Sequence, residues 1–214
     1  MLTRRGAVIC LFSGSLLAAS GEFWNDKAPA KWTAEEIKAL LNQSPWAKPA
    51  AMRFDKTAPG FDIFIYGPVT PSVDAPGGNG PGGKPVGFQV VIRWESALPV
   101  RRADKMIDSE SAEMFYVVSA TGDFPGKGSL TEDPAAWEQR QAMLRQFTKL
   151  ERKGEPLYLD HVQPRDDGML FYFSRQDPII LANKEITFST RMGPLEMKAK
   201  FPLKDMAYRG KLEL

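Results

Sequence analysis

His161 is the only histidine in the chain, so any catalytic machinery that needs an imidazole rests on one position. A serine triad built on histidine would have to use it, and a zinc site would be composed mostly of carboxylates. The plainer expectation is a packed or edge-strand histidine on the face of Leu157 and Leu159. Carboxylates are the remaining acid–base candidates. Asp160, Asp166 and Asp167 gather around one expected hairpin, and Asp108, Glu110 and Glu113 gather in a second loop. Two carboxyl groups can hydrolyse a glycosidic bond when they stand about 5–9.5 Å apart, which makes Asp160 with Asp166 or Asp167 the first catalytic pair to consider. The run Asp166-Asp167-Gly168 is also what a tight turn requires. Neither acidic group has the spacing of a calcium-binding loop, so the reading includes no metal.

Phosphate chemistry fits poorly. Gly78-Asn-Gly-Pro-Gly-Gly83-Lys84 has the glycine-to-Gly-Lys spacing of a phosphate loop, but Pro85 replaces the hydroxyl residue that would hold magnesium. A strand rather than a helix is expected to follow, so no helix N-terminus would meet the phosphates. Gly122–Ser129 has the wrong spacing, and Ser129 lacks a nucleophile-elbow pattern. The reading therefore includes no cofactor. Aromatic side chains are the last candidates: three of the five tryptophans, Trp24, Trp32 and Trp46, lie within one short segment. They could form a stacking platform for a glycan or an anchor for a partner protein, or they could staple the segment to the core. On the stapling reading, Trp32 or Trp46 is expected inside and Trp24, nearest the free end, outside.

The elements that must position these residues read as a single α+β domain, a largely antiparallel sheet with about two packed helices. Residues 21–60 form a helical arm. Thr33 and Glu36 make a capping box, Ile37, Leu40 and Leu41 make a helical stripe, and Ser44-Pro45 ends it. The domain proper spans 61–214. Strands are expected at Phe61–Tyr66, at Phe88–Trp94 with alternate residues on one face, and at Met114–Ser119. Glycine and proline fill more than half of 67–87, which reads as a mobile loop. A short helix is expected from Pro99 to Ile107. Asp133-Pro134 opens the longest helix, with a stripe of Trp137, Met143, Leu144, Phe147 and Leu150 and a stop at Gly154 and Pro156. Leu157–Val162 and Met169–Phe173 flank the acidic turn. Glu185–Met192 and Leu195–Phe201 alternate cleanly around Gly193-Pro194. One register places Met192 opposite Leu195, Phe188 opposite Ala199, Ile186 opposite Phe201 and Arg191 opposite Glu196.

The N-terminus reads as a secretory signal. Arg4 and Arg5 precede an uncharged apolar run over Ala7–Ala19, and Ala18 and Ser20 fit a cleavage point before Gly21. The apolar run is short for a membrane span, so no transmembrane segment is expected after cleavage. Thr3-Arg4-Arg5 leaves Sec and twin-arginine export both open. The single cysteine, Cys10, falls inside this segment, so a cleaved chain has no disulfide and no thiolate chemistry. Two of the 28 basic residues also fall there, against 26 acidic residues in the whole chain. The cleaved chain is therefore neutral, with no general electrostatic footprint for nucleic acid or an anionic membrane.

Two segments resemble a family of exported bacterial proteins to which no activity is assigned. They are Trp32-Thr-Ala-Glu-Glu-Ile-Lys-Ala-Leu-Leu-Asn-Gln-Ser-Pro-Trp46-Ala and the ending Lys198-Ala-Lys-Phe-Pro-Leu-Lys-Asp-Met206 with the residues that follow it. The resemblance implies export and a periplasmic or secreted location, and carries over no catalytic residue. The functional expectation is a non-catalytic binding or interaction protein of the bacterial cell envelope, with an envelope protein or a glycan as partner. The alternative is a carboxylate-dependent hydrolase.

Overall fold

The computed structural model describes residues 22–54, 89–122 and 134–214. The expected signal, the Phe61–Tyr66 strand, the 67–87 loop, the phosphate-loop-like run, Ser129 and the Asp133 cap lie outside these residues. Among the described residues the strands are β1 (Ala47–Pro49), β2 (Ala51–Phe54), β3 (Val90–Trp94), β4 (Phe115–Gly122), β5 (Lys149–Glu151), β6 (Leu157–Tyr158), β7 (His161–Arg165), β8 (Gly168–Ser174), β9 (Glu185–Met192), β10 (Leu195–Pro202), β11 (Ala207–Tyr208) and β12 (Lys211–Leu212). The helices are α1 (Phe23–Asp26), α2 (Ala34–Asn42), α3 (Leu98–Ala103), α4 (Ser109–Met114) and α5 (Pro134–Phe147).

The fold is α+β and sheet-dominated, but the strands divide between two five-stranded antiparallel sheets. One has the order β1-β3-β4-β8-β7 and the other β2-β10-β9-β5-β6, with β11-β12 as a small third pair. The alternation that reveals each strand's apolar face says nothing about which strands share a sheet. The two inner faces meet in one core: Trp94 packs on Phe201 at 5.9 Å between ring centroids, and Phe171 and Phe173 pack on Phe188 at 5.2 and 6.4 Å. These cross-sheet aromatic contacts make a sandwich rather than one sheet backed by helices.

The chain changes sheet in two places. At Ala50 it passes from β1 in the first sheet to β2 in the second, so the stretch read as a helical arm supplies an edge strand to each. At Leu159-Asp160 it passes back, with the Leu159 amide donating to Thr148 and the Asp160 amide to Tyr172. The continuous strand expected over Leu157–Val162 is therefore two strands in different sheets.

Local chemistry explains the elements that agree with the sequence. In α2, Thr33 Oγ1 accepts from the Glu36 amide and Glu36 accepts from the Thr33 amide, the reciprocal box that satisfies two N-terminal donors. The β9–β10 hairpin has the expected register throughout, including Phe188 opposite Ala199 and Arg191 opposite Glu196. Gly193 turns it at φ 56, a conformation that suits glycine. Helix α5 differs from expectation. It ends at Phe147, because Leu150 belongs to β5 opposite Phe188 and Thr148 is buried against Thr190. Leu144 is then the helix's buried anchor, while Met143 and Phe147 are 50 % and 39 % exposed. The expected Pro99–Ile107 helix is α3, which stops at Ala103. Ile107 packs instead with Ala112, Val117, Leu170 and Tyr172 on the outer face of the first sheet.

Candidate functional site

Where β3 ends, Trp94 enters the core and the chain turns at Glu95-Ser96 into α3. The turn is held on both sides. The Ser96 carbonyl accepts from Arg101 Nε at 3.1 Å, and Ser96 Oγ accepts from the Val117 amide at 3.0 Å. Glu95 is buried beneath, where its Oε1 accepts from Arg93 Nε at 2.8 Å and from Ser119 Oγ at 2.6 Å. Burial raises the Glu95 carboxyl above its ordinary value, with the Arg93 charge opposing. Arg93 also donates to the Leu41 carbonyl of α2 and reaches Asp104 at 3.5 Å. This cluster therefore ties α2 and the chain after α3 to the first sheet.

Beside the turn lies a cavity of about 360 Å³, lined by Ser96, Arg101, Glu113, Tyr116, Arg175 and Glu213 among others. Each side chain arrives from a different element: Arg101 from α3, Glu113 from α4, Tyr116 from β4, Arg175 from the turn after β8, and Glu213 from the chain after β12. The Arg175 guanidinium lies 4.1 Å from the Tyr116 ring centroid, a cation–π contact, and its Nε donates to the Phe115 carbonyl at 3.1 Å. Its Nη2 donates to the backbone oxygen of Leu214, the last residue of the sequence. Burial lowers its pKa, with Tyr116 and Glu213 opposing, and a guanidinium remains a cation all the same. Arg101 gives its Nη1 to Ser109 Oγ at 3.3 Å, and its Nη2 has no hydrogen-bond partner among the described residues. No Asp or Glu side chain lies within ion-pair distance of Arg101 or Arg175 among those residues. Both were missed in the sequence. They lie far apart along it in no motif, and only the fold that sets α3 and the turn after β8 around one cavity brings them together.

The acidic candidates separate. Asp160 Oδ2 meets His161 Nδ1 at 2.7 Å, so the lone histidine does have a carboxylate orienting it. No hydroxyl hydrogen-bonds the other ring nitrogen among the described residues, so the pair is the supporting half of a triad without a nucleophile. His161 is not on the face of Leu157 and Leu159, because the sheet change at 159–160 breaks the alternation. Those leucines are buried, while His161 stacks on Tyr172 at 4.1 Å on the outer face, with Phe115 edge-on at 5.3 Å. Asp166 and Asp167 form the two-residue turn at the other end of β7, where Arg165 pairs with Gly168, and Asp167 is engaged by Arg165 at 3.0 Å. A strand of that length rises about 17 Å, beyond the reach of paired glycosidase carboxylates. The fold therefore does not assemble Asp160 with Asp166 or Asp167. In the second acidic group, Asp108 caps α4 through the Ser111 amide at 2.7 Å, which lowers its pKa, and only Glu113 lines the cavity. No described group of three His, Cys, Asp or Glu side chains could hold a metal ion.

The tryptophans face inward. Trp24, Trp32 and Trp46 are 5 %, 8 % and 0 % exposed, so Trp24 is as enclosed as the others, contrary to expectation. Phe23 packs edge-to-face on Trp24 and Trp32, and Trp24 packs the same way on Trp46. Trp46 Nε1 donates to the Glu213 carbonyl at 2.8 Å. The three rings thus brace the chain that carries Glu213 and present no open stacking platform.

The chain matches no family model, no curated protein and no solved structure. No described helix is long and apolar enough to cross a membrane.

Proposed function

We propose that this is a non-catalytic binding protein of the bacterial cell envelope and that the Arg101–Arg175 cavity is its binding site. The observation that supports this most is the cavity itself, on which Ser96, Arg101, Tyr116 and Arg175 converge from separate elements. Convergent, fixed polar groups in a concavity are what a ligand site requires, and a nucleophile–base pair is what a hydrolase would add. Export rests on the basic head, apolar run and small-residue exit of residues 1–20.

The test is native mass spectrometry of the full chain recovered from its own cell envelope, compared with an Arg101→Gln variant. The expected result is a small-molecule adduct, present in the wild type and absent from the variant. A wild-type spectrum with no adduct overturns the reading. So does release of reducing sugar from envelope glycan that Asp160→Asn abolishes, which would make the chain a hydrolase.

A further inference from the structure

We infer that Arg102, Tyr208 and Arg209 form a second binding site, open to solvent, for a phosphate group. The guanidinium carbons of Arg102 and Arg209 stand 5.4 and 5.3 Å from the centre of the Tyr208 ring. They come from separate elements, Arg102 from α3 and Arg209 from the turn between β11 and β12. Arg102 Nη1 donates to Tyr208 Oη at 2.6 Å. A guanidinium can only donate, so the hydroxyl oxygen is the acceptor, and its own proton has no acceptor among the described residues. Tyr208 is only 3 % exposed, and a buried hydroxyl ordinarily finds partners for its polar atoms. No Asp or Glu side chain lies within ion-pair distance of Arg102 or Arg209 among those residues. Both arginines are exposed, so burial calls for no counter-ion here. What selects a ligand is the set of donors gathered on one ring with no acceptor beside them.

The turn supplies an independent observation. Tyr208 pairs with Lys211 across two residues, and in them Arg209 has φ 50 and Gly210 φ 78. A two-residue hairpin turn with both φ values positive favours Asn-Gly or Asp-Gly, and an arginine pays in stability for the left-handed region. Local folding would not choose arginine there, and strain of this kind persists at binding sites whose surroundings enforce it. The surroundings do so here: the Arg209 amide donates to Asn25 Oδ1 at 2.6 Å, and Asn25 Nδ2 donates to Glu22 Oε2 at 2.7 Å. Donors without acceptors select an oxyanion. A phosphate group carries about three acceptor oxygens and nearly two charges, enough to engage both guanidinium groups and the hydroxyl, whereas a carboxylate has fewer oxygens and a single charge. Exposed Lys211, opposite Tyr208 in the hairpin, adds a further cation. The site stands independently of what the Arg101–Arg175 cavity binds.

The experiment is isothermal titration calorimetry of the full chain with inorganic phosphate and with acetate, together with co-sedimentation on phosphatidylcholine vesicles with and without phosphatidylglycerol. Both are repeated with Arg209→Asn and Tyr208→Phe. Phosphate is expected to bind more tightly than acetate. Binding of inorganic phosphate assigns the site to a free phosphate or a small ester, and binding confined to phosphatidylglycerol vesicles assigns it to a lipid headgroup. Every variant carries the same residues 1–20, so vesicle binding by that segment is common to all and drops out of the comparison. Arg209→Asn should weaken phosphate binding, from whichever source, at least about tenfold, the equivalent of one lost charge-assisted contact. The same change should raise the thermal midpoint, because asparagine suits the turn. Tyr208→Phe keeps the ring, removes the hydroxyl and should weaken binding by roughly fivefold. A wild type that binds neither phosphate nor phosphatidylglycerol overturns the inference, as does acetate binding as tight as phosphate, or phosphate binding that Arg209→Asn leaves unchanged. A lower midpoint in Arg209→Asn overturns it too, because the arginine would then be there to hold the turn.

Discussion

Trp46 and Trp24 touch each other and are both buried, yet they should respond unequally to replacement by phenylalanine. Trp46 Nε1 donates to the Glu213 carbonyl, whereas the buried Nε1 of Trp24 has no partner. Trp46→Phe removes a net-favourable bond of about 0.5–1.5 kcal/mol and leaves a carbonyl short of a donor. Trp24→Phe removes a donor whose burial costs about 1–3 kcal/mol. The smaller ring opens a void of similar size at both positions, so this loss largely cancels in the comparison. Trp46→Phe should therefore be the more destabilising by about 2 kcal/mol. Urea unfolding followed by far-ultraviolet circular dichroism reads this directly. With a slope of about 2 kcal/mol per molar, the midpoints should differ by roughly 1 M. Equal midpoints, or a lower one for Trp24→Phe, would refute the assignment of these two indole nitrogens.

Three further outcomes are expected. A Cβ on Gly168 would stand 1.9 Å from the Ala120 carbonyl oxygen, across the β4–β8 ladder; Gly168→Ala should cost about 1–3 kcal/mol or more, and a thermal midpoint equal to wild type would show that the strands separate there at no cost. Because burial raises the Glu95 carboxyl, the folded chain holds that proton to higher pH than the unfolded chain does, and this group's contribution to stability falls as pH rises from the ordinary carboxylate value through the raised one. The unfolding free energy of wild type minus that of Glu95→Gln should fall over that window and then level off, and a flat difference would contradict the assignment. Asp160→Asn should change stability by no more than about 1 kcal/mol, because its pair with His161 is largely in solvent; a larger loss by denaturant titration would mean that the pair fastens the sheet change.

What was legible in the sequence was local. The Thr33–Glu36 box, the turn at Asp166-Asp167 and the complete register of the β9–β10 hairpin follow from short-range chemistry: a capping pair three residues apart, turn-forming side chains, and alternation that only one register satisfies. The α+β class follows from the same periodicities. Tertiary structure decided everything that depends on partners distant in sequence. It divided the strands between two sheets, ended α5 at Phe147 so that Leu150 could face Phe188, and sent His161 to the outer face by switching sheets at Leu159-Asp160. It also turned all three N-terminal tryptophans inward and brought Arg101 to Arg175. A periodic pattern states which face of a segment is apolar, but not which other face will cover it. Two arginines separated by most of a sheet carry no spacing signal at all, so their shared cavity exists only once the fold has set α3 and the turn after β8 around one space.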